Sequence, residues 1–328
     1  LVWDSHDVEL VAAPLGSTAS GVRDRTSYVL QENVTPSSFA AALVHASREQ
    51  ADRLVLYADE GAPLAARLEQ WFRPAGEPSN TPSVEAREVE GATSEPAVPE
   101  LMPVVLPGPV DAERLVDRLR GAGLEVVLEQ GEWRGELLGL EVARIVRWPI
   151  ETGGDGELHI EAGVGRFDRD AAAAMHQGES LDEGLERAIR IVSEHRYPGA
   201  PIHPLSVLAR SRWMRSVAMA APEMVGATEL RPLESTFAAD SVREERPAAA
   251  LGRTSTGTPF LVVFGAGSSL DLVPVATDTR EQHLPGAPLR VVLPPRDHLP
   301  VADELVTWAT ASGRGEVEVL EMEPPWAT

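Results

Sequence analysis

The spacing of apolar positions divides the chain into an α/β start, a mixed middle and an α/β end. Near the start, Val8–Ala13 and Arg53–Tyr57 are short apolar runs of the kind that form buried strands. Between them Phe39, Leu43 and Ala46 recur at helical spacing behind Pro36, which predicts a helix over Ser37–Gln50. Leu64, Leu68, Trp71 and Phe72 share one helical side and predict a second helix over Ala62–Phe72, with Val84–Val89 as the next strand. From Pro74 to Pro109 the pattern is broken by Pro78, Pro82, Pro96, Pro99, Pro103 and Pro107. That composition predicts an extended linker or surface excursion.

In the middle, Asp111–Gly121 reads as a helix, followed by strands over Leu124–Glu129, Leu137–Trp148 and Glu157–Val164. The run Gly153-Gly154-Asp155-Gly156 predicts the turn between the last two. Ser180-Leu181-Asp182-Glu183 has the form of a capping box, and Leu181, Leu185, Ala188, Ile189 and Val192 make the apolar stripe behind it. Leu205–Ala220 resumes a helix, and the polar stretch Leu233–Gly257 reads as a connection. Pro259–Phe264, Leu289–Leu293 and Val317–Leu320 then predict strands, with a helix over Val301–Thr310.

These elements predict an α/β protein with Rossmann-like βαβ units at both ends. A central α+β unit of helix, antiparallel meander and helices separates them. The expected division is 1–95, 96–232, a connection over 233–257, and 258–328. Arg53–Val89 and Arg290–Leu320 share one order of strand, loop, Trp-bearing helix and strand, with Trp71 matching Trp308. Any two βαβ units share that order; a closer relation would let the C-terminal unit pack with 1–95.

Composition removes several chemistries. The 328 residues include 51 acidic and 29 basic side chains and no Cys, for a net charge of -22, and every basic residue is Arg. Without Lys there is no Schiff-base Lys and no Walker A phosphate loop. Without Cys there is no disulfide, thiolate nucleophile or Cys-bound metal. The negative charge disfavours non-specific attachment to nucleic acid or anionic membranes. No apolar run approaches the roughly 20 residues that span a bilayer. A soluble, cytoplasmic protein is the expectation.

Two groups of residues are candidates for binding a ligand. Gly265-Ala266-Gly267-Ser268-Ser269 follows a strand, where backbone amides and the Ser268 and Ser269 hydroxyls could approach a phosphate. Leu270 stands where a dinucleotide fingerprint has its third glycine, and a plain tight turn explains the same run. Pro274 argues against a long helix starting at Ser269. A similar run, Gly16–Gly21, follows the first strand. The second group is basic: between Glu186 and Arg215 lie Arg187, Arg190, Arg196, Arg210, Arg212 and Arg215. Glu183 and Glu186 sit four residues before Arg187 and Arg190 and pair with them on a helix surface. Arg210 is expected to meet a carboxylate elsewhere. That leaves Arg196, Arg212 and Arg215 to bind an anion, with Trp213 and Tyr197 able to stack on bases.

A third group, Glu141, Glu161 and Asp168 with His159, lies on the meander. Inward acids on such a unit are similar to those of metal-dependent nucleases, where carboxylates hold a divalent cation that activates water. Here the Lys that often accompanies them is missing, and alternating outer-face polar residues on an antiparallel sheet explain the pattern more simply.

The leading expectation is a protein that binds a phosphorylated ligand, a nucleotide or nucleic acid, at an Arg-lined site, with no membrane partner. A metal-dependent phosphodiesterase using the meander acids is the alternative, and only there does a metal enter as cofactor. A scaffold that binds other proteins through 74–109 or 233–257 is the third.

Overall fold

A computed structural model of the chain describes residues 9–10, 13, 15–76, 81–91, 93–147, 156–164, 180–237 and 243–327. The first elements are β1 (Glu9–Leu10), β2 (Ala19–Arg23), β3 (Thr26–Asn33), α1 (Pro36–Arg48), β4 (Arg53–Glu60), α2 (Ala62–Phe72), β5 (Ser83–Glu90) and β6 (Thr93–Pro96). The middle carries α3 (Glu113–Gly121), β7 (Glu125–Glu129), β8 (Glu132–Leu137), β9 (Leu140–Arg147), β10 (Leu158–Ala162), α4 (Leu181–His195), α5 (Pro204–Val207) and α6 (Arg210–Ala220). Then come β11 (Glu229–Leu233), β12 (Ala248–Arg253), β13 (Pro259–Phe264), α7 (Leu272–His283), β14 (Leu289–Leu293), α8 (Pro300–Ala311) and β15 (Val317–Glu321). The protein is α/β, as its apolar spacing predicts. It divides into two compact units: Leu1–Pro103 with Gly267–Glu321, and Val104–Ala266 with Met322–Thr328.

The first unit is built on parallel passages. β3, β4 and β5 pair in parallel, with β2 and β6 antiparallel on either side. Leu54 and Leu56 of β4 are fully buried, as the central strand of a covered sheet requires. Thr35 and Ser38 close a capping box at the start of α1, with Pro36 at its first helical position. β14 and β15 are also parallel, joined by α8. Both Trp-bearing segments are therefore parallel βαβ passages. Helices α1 and α2 pack against α7 and α8, and Phe39 meets Phe72 with ring centroids 5.9 Å apart.

The second unit carries an antiparallel sheet in the order β10-β9-β8-β7. Val116 and Leu119 of α3 and Leu185, Ala188 and Val192 of α4 form one core with Leu140, Val142 and Ile160 of the sheet. Ser180 and Glu183 make the predicted capping box. The meander departs from expectation at one point. Leu137–Trp148 is not one strand, because Leu138 and Gly139 take positive φ and form a two-residue turn between β8 and β9.

Two further elements correct the sequence reading. β12 lies inside the stretch expected to be a connection, and its Ala248, Ala249 and Ala250 are buried against β11 and β13. Helix α7 begins at Leu272, three residues past Ser269, so Pro274 falls in its first turn. There its missing N–H costs no hydrogen bond.

Candidate functional site

Glu141, Arg212 and Arg215, which the sequence assigns to two separate sites, belong to one buried network in the second unit. Strand register places Glu125 opposite Glu136, and Glu136 opposite Glu141, so three carboxylates run in a row across β7, β8 and β9. Unneutralised, such a row would repel itself strongly. Helix α6 supplies the counter-charge. Arg212 donates to Glu136 at 2.7 Å and to both Glu129 oxygens at 2.8 and 2.9 Å. Arg215 donates to Glu136 at 2.7 Å and Arg144 to Glu141 at 3.1 Å, while Arg134 pairs with Glu129.

Burial and pairing compete in this network. Burial opposes charge on Arg212, but Glu136 and Glu129 outweigh it and hold the guanidinium above its ordinary range. Burial likewise opposes charge on Glu129, yet Arg212 and Arg134 keep that carboxyl below its ordinary range. Among the described residues Ser216 is the side-chain donor to Glu125, and burial pushes this carboxyl up.

The helix-surface argument leaves Arg212 and Arg215 free; the fold gives both carboxylate partners. Those partners stand 76 to 83 residues away and share no helix with the arginines, so local spacing does not reveal them. Arg212 and Arg215 also edge a small cleft with about 220 Å³ of empty space, beside Ser235 and Arg246. Arg196 lies apart from that cleft. Its guanidinium donates to the carbonyls of Leu205, Leu208 and Ala209 and stacks on Trp213 at 4.3 Å. Burial pushes its pKa down to about 9, so it remains charged at neutral pH. Glu161 is registered opposite Arg144, and His159 approaches it at 3.7 Å. Asp168 lies outside the described residues. Among the described residues, no three His, Asp or Glu side chains converge to hold a metal ion.

The glycine loop occupies a different place. Gly265 falls in the second unit, whereas Gly267, Ser268 and Ser269 belong to the first. These three residues, with φ of +86° at Gly267, form one wall of a cleft with about 360 Å³ of empty space, open to solvent. The first turns of α7 (Leu272, Val273) and α8 (Val301, Ala302) form two others, with Leu293, Leu299 and Leu305 beneath. Neither helix has a side-chain cap on its N-terminal amides. The Gly267 amide donates to Asp297 Oδ2 at 2.8 Å, which ties the loop to the turn after β14. Apolar spacing does not reveal the convergence of two helix starts on this loop, because α7 shows no contrast between an apolar and a polar face. Comparison with known protein families, curated proteins and solved structures returns no match.

Proposed function

We propose that the chain is a ligand-binding protein whose first unit seats a small phosphorylated molecule in the cleft at Gly267, Ser268 and Ser269. The supporting observation is the convergence on that cleft of two helix N-termini, both without side-chain caps. Each brings the positive end of a helix dipole and first-turn amides without intrahelical partners. The Ser268 and Ser269 hydroxyls, on an exposed loop, add donors. The apolar floor suits the non-phosphate part of a small ligand. Arg196, Arg212 and Arg215 are left out of this reading, because each already carries carbonyl or carboxylate partners.

Titration calorimetry with inorganic phosphate, AMP and ADP tests the reading. Saturable binding is expected, weakened on the order of tenfold when both hydroxyls are removed (Ser268→Ala with Ser269→Ala). Failure of all three compounds to bind, or equal binding by the double variant, overturns it.

A further inference from the structure

We propose that His195 and His203 form a pH-sensitive clasp, which holds the loop between α4 and α5 while both rings are neutral and releases it when both take a proton. The inference concerns the second unit and does not rest on the phosphate reading. His195 is the last residue of α4, and its ring stacks on that of His203, with centroids 3.6 Å apart and planes within 9° of parallel. Both residues are half-buried. His203 caps α5: its Nδ1 accepts the Leu205 amide at 3.2 Å, and its own amide donates to Ser206 Oγ at 3.1 Å. A ring nitrogen that accepts carries no proton, so the closed loop requires a neutral His203.

The charges around the pair do not compensate two protons. Among the described residues the histidines paired with carboxylates are His159 and His298, not these two. On α4, Glu194 is exposed and Arg196 directly follows His195. The loop adds Tyr197, and α5 has no ionisable side chain. From α6, Arg210 brings a further positive charge, its Nε donating to Ser206 O at 3.4 Å. The acids that act on Arg196 are Glu245 and Glu136. Both are engaged elsewhere: Glu245 accepts the Arg210 and Ser211 amides at 2.8 Å each, and Glu136 holds Arg212 and Arg215.

Proton uptake therefore breaks the clasp in two ways. Histidine is the side chain whose ordinary titration falls between pH 5 and 8. A proton on His203 Nδ1 removes the acceptor of the Leu205 amide. A proton on each ring sets like charges face to face beside Arg196, where Coulomb repulsion is strong. The opened loop binds more protons than the closed one, so closure is favoured at high pH and lost as pH falls. The opening stays local, because Arg196 is buried and its bonds to the carbonyls of Leu205, Leu208 and Ala209 do not titrate in this range.

Backbone hydrogen exchange of the whole chain at pH 7.5 and pH 5, with each rate corrected for intrinsic exchange, tests the clasp. Protection of the Leu205 amide is expected to fall by about tenfold or more on acidification, while that of the Arg196 amide, bonded to Val192 O, stays constant. His203→Asn offers a capping oxygen that takes no proton and should abolish the fall. His195→Phe keeps a ring in the stack without a charge and should make the fall smaller. Equal Leu205 protection at both pH values in the wild type overturns the proposal, as does a fall that persists in His203→Asn. A full-sized fall in His195→Phe overturns the pairing of the two rings. Where a variant folds poorly, imidazole nitrogen shifts of the wild type decide. At pH 7.5 the clasp requires the His203 proton on Nε2, and a proton on Nδ1 overturns it.

Discussion

The indole Nε1 of Trp71 donates to Asp278 Oδ1 at 2.8 Å, a bond between α2 and α7 that joins positions 207 residues apart. The other oxygen of Asp278 accepts from Arg67 at 3.0 Å, and Asp278 is fully buried. The carboxylate thus ties two residues of α2 to α7, whose first turn lines the cleft at Gly267. Breaking a buried ion pair costs about 3–5 kcal/mol, and Arg67 keeps Glu100 at 2.9 Å when Asp278 is removed, which puts the cost at the low end. Asp278→Ala is therefore expected to lose about 3 kcal/mol in urea denaturation. Trp71→Phe removes one charge-assisted hydrogen bond and leaves the Arg67 pair intact, so about 1.5–3 kcal/mol is expected. A Phe variant as damaging as the Ala variant would refute this division of roles.

Gly139 is held by two constraints at once. Its φ is +77°, and a Cβ built there would lie 2.4 Å from the Arg212 carbonyl carbon and 2.5 Å from the Trp213 nitrogen. The obstructing atoms are helix backbone and cannot rotate aside. Gly139→Ala combines positive-φ strain with overpacking and is expected to destabilise the protein by about 3 kcal/mol. Gly199→Ala, with φ of +78° but open space around it, is the matched control and should cost clearly less. Equal midpoints for the two variants would show that the close approach is unimportant.

Sequence spacing reveals those parts of this fold whose signals are local. The Ser180–Glu183 capping box and the strand at Leu54 to Leu56 depend on neighbouring residues alone, and both are found. Helix α7 is hidden for a physical reason: every residue from Leu272 to Arg280 is buried, so it shows no contrast between an apolar and a polar face. β12 is hidden because three consecutive alanines carry little strand preference, and packing on both sides decides their state. The partners of Arg212 and Arg215 are hidden by sequence distance. Of the cleft, Gly267, Ser268 and Ser269 are legible as a loop, whereas Asp297 and the two helix starts become its neighbours only on folding.

Arg212 and Arg118 should respond very differently to the same substitution. Arg212 faces Glu129 and Glu136, which are 5% and 0% exposed in their side chains. Arg212→Ala leaves buried carboxylates under-compensated, and about 3–5 kcal/mol of destabilisation is expected. Arg118 pairs with Asp182 at 2.7 Å, but both partners lie in solvent. Arg118→Ala should change stability by no more than about 1 kcal/mol. Denaturation midpoints in low and high salt check both values. The Arg212 effect should persist in salt, since buried pairs are weakly screened.

His298 gives the first unit a pH-dependent contribution with a definite sign. Hydrogen bonds to Glu321 and Asp303 raise its pKa above the ordinary 6.5, because they favour the protonated ring. The folded state therefore binds this proton more tightly than the unfolded chain does. The resulting stabilisation is fully present below pH 6.5 and is lost as pH rises through the folded value. His298→Gln should lower the melting temperature at pH 6, and the gap to wild type should shrink by pH 9. A gap that widens toward pH 9 would mean that the two carboxylates hold a neutral ring. His298 adjoins Asp297, so loosening the clamp at high pH should also loosen the turn that ties down Gly267. Backbone hydrogen exchange at Gly267 would follow that coupling, with faster exchange in His298→Gln at pH 6 than in the wild type.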